Sequence, residues 1–206
     1  MDALIAGYRR FRTRTWPARR RRFETLAERG QSPRALVVAC GDSRVDPAMI
    51  FDAGPGEIFT IRNVANLIPP CQPDDAYHGT SAALEFAVLV LGVRDVIVMG
   101  HGLCGGVRAL LDGLPDAPGG FPGSFIAPWL RLAAPARART LACAPADPQL
   151  HCEHEVIRLS LDNLRSFPWI ADRLEAGTLH LHGAHFDIRT GLLAVSDGAG
   201  PFQPVT

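Results

Sequence analysis

Two short apolar runs, residues 35–39 (ALVVA) and 95–99 (DVIVM), are bounded by polar or turn-forming residues and are too brief for helices. Continuous apolar stretches of that length suit strands buried on both faces, as in a parallel sheet. Residues 57–61 (EIFTI) predict another strand, and residues 179–187 and 192–195, separated by Arg189, Thr190 and Gly191, predict a hairpin. Between them fall helical patterns at 104–111, 125–134, 153–164 and 168–175, the last closed by Gly177, with one helical turn at 47–52. Residues 63–78, around PPCQPDD, and 115–123 predict loops, the second a flexible one. Residues 2–29 predict an arm of two short helices broken near Pro17.

This alternation predicts an α/β fold. Its centre is a mostly parallel sheet, about four parallel strands plus an antiparallel edge strand, flanked by helices. No repeat or linker divides residues 1–206, so one domain is expected, an N-terminal helical arm (1–29) on an α/β core (30–206). Residues 80–91 (TSAALEFAVLVL) are apolar nearly all round, with Glu85 the one charge. Such a helix needs cover on every side, from the sheet and from a partner subunit.

Composition narrows the function classes. Apolar residues make up 47% and charged residues 20% of the chain, values of a globular protein. A net charge of zero gives the whole molecule no bias toward nucleic acid or anionic lipid. No apolar run approaches the ~20 residues of a membrane span, and the first apolar patch is too short for a signal-peptide core. Five cysteines, an odd number in a chain this long, favour reduced thiols and a cytoplasmic location. All 21 basic residues are arginine.

Both internal strands end in chemistry-bearing residues. Residues 40–44 read CGDSR and residues 100–106 read GHGLCGG. Ligands of open parallel sheets bind beyond the carboxyl ends of the strands. If the two strands are neighbours, Cys40, His101 and Cys104 converge on one point. A Cys-His-Cys set suits zinc, and three protein ligands leave a fourth position open. Asp42 and Arg44, two residues apart, can pair side by side next to it.

These residues resemble the CxDxR and HxxC signatures of the β-class carbonic anhydrases. The likeness runs through PGEIFTIRNVANLIPP and GTSAALEFAVLVLGVRDVIVMGHGLCGG, and more weakly to LHGAHFD near the end. The resemblance implies zinc-dependent reversible hydration of carbon dioxide to bicarbonate and a proton, by attack of zinc-bound hydroxide. One zinc per subunit would sit on Cys40, His101 and Cys104, with Asp42 and Arg44 as the catalytic dyad. It also implies a homodimer or dimer of dimers, and a plant-like substrate pocket of Gln31, Phe59, Val64, Phe86 and Gly105, Gln31 reaching the neighbouring subunit. Phe86 stands where that branch has tyrosine. Of a Trp-Arg-Tyr trio that favours a closed zinc site in another branch, only Arg62 remains. Val37 and Phe186 hold the other positions, so an open site with Asp42 paired to Arg44 is expected. Carbon disulfide and carbonyl sulfide hydrolases share these features, and a non-catalytic zinc-stabilised protein is a further alternative.

Other clusters read as structural. Eight arginines between positions 9 and 22 suit a solvated arm embracing a second subunit rather than a nucleic-acid site. The HCEHE run, His151 to Glu155, reads as a surface helix cap. Cys71 and Cys143 have no partner by spacing. His180 and His182 share one strand face and are candidates for a proton relay.

Overall fold

The computed structural model describes residues 1–117, 119–123, 125–198 and 200–206, so Pro118 of the expected 115–123 loop lies outside the described residues. Six strands form one sheet in the order β2-β1-β3-β4-β5-β6. They are β1 (Ala35–Cys40), β2 (Ile58–Asn63), β3 (Asp95–His101), β4 (His180–Phe186), β5 (Leu193–Ser196) and β6 (Gln203–Pro204). The first four pair in parallel, and β5 returns antiparallel to β4 as the hairpin pattern predicts. The two-residue β6 extends that edge beyond the expected strands.

Alternation along the strands gives the sheet two faces. Leu36, Val38, Val96, Val98 and Leu181 point to the larger core. That core is completed by α4 (Gly79–Glu85), α8 (Pro148–Leu164) and α9 (Pro168–Glu175). Val37, Ala39, Met99 and Ala184 face the other way into a smaller cluster with Ile50 of α3 (Pro47–Ile50). Two further helices, α5 (Gly105–Leu111) and α6 (Ile126–Arg131), follow β3. They precede α7 (Ala134–Cys143), which carries no apolar stripe and is not among the expected helices.

The arm is not broken at Pro17. Its helices α1 (Asp2–Arg10) and α2 (Trp16–Arg29) are joined by a π-helical segment, Phe11–Thr15. The Trp16 N–H reaches back five residues to the Phe11 carbonyl. Proline lacks an N–H and clashes with the carbonyl four residues behind it, and the wider π turn absorbs both problems. No residue of the arm is buried. It touches the core where Arg22 Nε donates to the Pro55 carbonyl at 3.1 Å and Leu26 fills the space at Gly56.

Helix α4 also continues as a π segment, Phe86–Val90. Leu84, Ala87 and Val88 face the core, but Phe86, Leu89 and Val90 are 44%, 51% and 67% exposed. A single chain therefore does not bury this apolar helix on every side.

Candidate metal centre

Because β1 and β3 are parallel neighbours, with Ala39 opposite Met99, Cys40 and His101 leave the sheet side by side. Cys104 returns to them three residues later, at the N-cap of α5. The ligand atoms of Cys40, His101 and Cys104 lie within 4.8 Å of one another, and all three residues are buried. The Cys40 and Cys104 sulfurs are 3.9 Å apart. A tetrahedral zinc with Zn–S bonds of about 2.3 Å would need about 3.8 Å. His101 Nδ1 donates to the Gly102 carbonyl at 2.9 Å, since a carbonyl can only accept, which leaves the Nε2 lone pair bare. That Nε2 is buried and has no hydrogen-bond partner among the described residues. An orphaned imidazole nitrogen facing two thiols at zinc spacing fits the ion.

The tight turn carrying these ligands differs from a simple glycine reading. Its left-handed residue is Leu103, with φ of 59°, and none of Gly100, Gly102, Gly105 and Gly106 has positive φ. The glycines instead permit close approach. A Cβ on Gly100 would meet Ile157 Cδ1 at 2.8 Å, and one on Gly106 would meet Val64 Cγ1 at 3.0 Å.

The two thiols share one proton unevenly. Cys40 is pulled well below the ordinary thiol range, chiefly because Cys104 hydrogen-bonds its sulfur, with nearby His101 and the backbone N–H groups of Asp42 and Ala65 adding to this. Cys104 is pushed up, first by that same bond and then by burial. Burial works most strongly against protonating His101, yet the nearby Cys40 sulfur and the Gly102 carbonyl together raise its pKa.

Asp42 sits beside the cluster, its Oδ2 4.0 Å from His101 Nε2. Arg44 clamps it with both prongs, Nε to Oδ1 at 2.9 Å and Nη2 to Oδ2 at 2.7 Å, and the Arg44 N–H also donates to Oδ1. The Arg44 side-chain hydrogen bond is the main reason the Asp42 carboxyl stays well below the usual carboxylate range. Arg44 Nη2 also reaches the Leu103 carbonyl at 3.3 Å, tying the end of β1 to the turn after β3. Arg62 is fully engaged by the Cys40 and Asp42 carbonyls and the Asp46 carboxylate. Val37 lies in the core.

The expected pocket residues divide. Val64 precedes Ala65, whose N–H faces the Cys40 sulfur, and Gly105 follows Cys104 directly. Phe59 pairs in register with Leu36, four residues before Cys40, which places it about 13 Å down the strand at 3.3 Å per residue. Phe86 stays with Phe59, their rings 6.0 Å apart. Gln31 is exposed beyond the opposite end of β1. One chain thus brings Val64 and Gly105 to the cluster, and not Phe59, Phe86 or Gln31.

The HCEHE run is not a surface cap. Glu153 and Glu155 are buried on α8, and Glu153 supports the cluster from behind. Its Oε1 accepts the Cys104 N–H at 3.0 Å and Gln149 Nε2 at 2.7 Å, and its Oε2 pairs with His185 Nε2 at 2.9 Å. Extending the inward stripe of α8 back from Leu164 through Leu161, Ile157 and Val156 reaches Glu153, a signal the cluster's composition hid. His182 pairs with Asp95 at 3.0 Å, at the end of the sheet opposite the cluster, so it cannot relay protons there.

A family model described as carbonic anhydrase matches residues 35–193. The chain belongs to the β-class carbonic anhydrases. A carbonic anhydrase of Pseudomonas aeruginosa is 41% identical over 208 residues, covering 97% of this chain and 89% of its own. β carbonic anhydrase 3 of Arabidopsis thaliana is 35% identical, covering 93% of this chain and 74% of its own. The solved β-carbonic anhydrase CcaA superposes with a TM-score of 0.89 at 34% identity, covering all of this chain and 92% of that one. As a carbonic anhydrase, the chain is an enzyme, and no helix among its described residues is long and apolar enough to cross a membrane.

Proposed function

We propose that this carbonic anhydrase hydrates carbon dioxide reversibly at one zinc per subunit held by Cys40, His101 and Cys104. The observation that carries this is the bare, buried Nε2 of His101 facing two thiols beside an arginine-clamped aspartate. Zinc, when bound, lowers the pKa of a water molecule and so supplies a nucleophile near neutral pH. The chain's own residues supply the rest. Asp42, fixed by Arg44, is a pure acceptor that can orient one proton of that nucleophile. Val64 gives carbon dioxide an apolar wall. The Gly106 and Val107 N–H groups turn to the Cys104 sulfur, so the Gly105 N–H is the first-turn donor left for a substrate oxygen.

Phe59, Phe86 and Gln31 serve the site of a second copy. Phe59 and Phe86 are too far from the cluster of their own chain, and Phe86, Leu89 and Val90 form an outward apolar face. The working unit is therefore at least a homodimer. Its thiol ligands and its free cysteines suit a reducing compartment such as the cytoplasm.

Stopped-flow hydration of carbon dioxide with parallel zinc analysis tests the reading, with carbon disulfide and carbonyl sulfide assayed alongside. Stoichiometric zinc with hydration of carbon dioxide is the expected result. Stoichiometric zinc with turnover of the sulfur compounds alone would reassign the substrate.

A further inference from the structure

Hydration consumes one carbon dioxide and one water and yields one bicarbonate and one proton. That proton must leave the site in every turnover. Imidazole is the side chain that exchanges protons most readily near neutral pH. Among the seven histidines, His101 faces the thiols, His185 is locked against Glu153, His154 is stacked on Phe202, His151 pairs with Thr140, and His180 and His182 lie at the far end of the strands.

A cavity of about 710 Å³ runs along the loop after β2. Its inner wall includes Asn63 and Val64. The Asn63 carbonyl accepts the Gly41 N–H at 2.7 Å, and the next residue after Val64 faces the Cys40 sulfur, so this wall adjoins the metal cluster. Its outer wall includes Tyr77, His78 and Thr80. His78 is the one imidazole among the described lining residues.

The His78 ring is held in place. Its Nε2 pairs with Asp74 Oδ1 at 2.7 Å, and that oxygen also accepts the Ala76 N–H at 2.7 Å. The His78 hydrogen bond is the main reason the Asp74 carboxyl lies below its ordinary value. Nδ1 has no hydrogen bond among the described residues, and the side chain is 38% exposed, open to both cavity and solvent. A carboxylate-oriented imidazole with one free nitrogen, lining a cavity that also reaches Asn63 and Val64 beside the ligand cluster, has the form of a proton relay.

We propose that His78, oriented by Asp74, carries the proton released by hydration from this cavity to bulk solvent. The proposal rests on the carbonic anhydrase reading. Nδ1 takes up one proton through the water filling the cavity and passes it to a buffer base, returning the ring to neutral.

The test separates proton export from hydration itself. In zinc-replete His78→Ala protein at low buffer concentration, kcat should fall by roughly tenfold or more while kcat/KM, which reports the hydration step, stays near wild type. Added imidazole buffer should restore kcat in the variant and leave wild type unchanged. Asp74→Asn should lower kcat less than His78→Ala. In the assembled wild-type protein, diethyl pyrocarbonate should label His78, as located by peptide mass. Unchanged kcat, a parallel loss of kcat and kcat/KM, failure of imidazole rescue, or an unlabelled His78 would each overturn the proposal. Absence of carbon dioxide hydration by zinc-replete wild type would instead remove the functional reading beneath it.

Discussion

At the scale of single residues, the cluster works by leaving one nitrogen without a partner. Replacing Cys40 or Cys104 with Ser swaps a thiolate for a neutral hydroxyl, so bound zinc and hydration should both be lost. Full zinc occupancy by elemental analysis in either variant would refute the ligand assignment. Arg44→Ala makes a different cut. It removes both prongs from Asp42 without touching a ligand, so zinc should remain while kcat/KM drops on the order of a hundredfold. Near-normal kcat/KM would show that the clamp does not matter. The meeting of Cys40, His101 and Cys104, and the pairing of Asp42 with Arg44, were legible in CGDSR and HGLC because strand ends fix where such residues meet. The role of Leu103 was not, since nothing in its type announces a left-handed conformation.

Elements explain what the sequence hid. Helix α7 alternates Ala and Arg, and buries only Ala136 and Thr140, so no apolar stripe announced it. Helix α8 begins at Pro148, capped by Asp147 on the Leu150 N–H, and its polar first turns masked buried positions. Glu153→Ala would leave the buried Cys104 N–H and His185 without their acceptor. The cost should be about 1–3 kcal/mol per unsatisfied group, read by urea unfolding of the zinc-loaded protein. Wild-type stability in that variant would mean water replaces the carboxylate. His154, one residue on, stacks on Phe202 and lies beside His185. Burial first, then repulsion from His185 and Arg158, lowers its pKa from 6.5 to about 4. The folded state therefore prefers the neutral ring. The stability this ring contributes is complete above pH 6.5 and declines as pH falls toward about 4. His154→Gln should flatten the stability profile in that interval, and an unchanged slope would assign the acid sensitivity elsewhere.

For the molecule as a whole, the parallel sheet, the hairpin and the arm followed from pattern alone. The continuity of the arm through Pro17 did not, because a π turn leaves no mark in hydrophobic spacing. Nor could pattern show that Phe59 and Phe86 stand away from the Cys40, His101 and Cys104 cluster of their own chain, which is a matter of strand register. Dilution should therefore abolish activity at the concentration where light scattering first detects single chains. A fully active single chain would contradict the shared pocket.

The separation of Phe59 from Cys40 along one sheet also bears on inheritance. In the proposed shared-pocket dimer, a subunit crippled at Cys40 would still lend an intact aromatic pair to its neighbour, and a subunit crippled at Phe59 would still own its ligands. When two such chains meet in a twofold pair, one site collects both defects and the other collects neither. Random reassortment of equal amounts would leave about a quarter of all sites whole. Two inactive alleles expressed together would then rescue each other, as neither could alone.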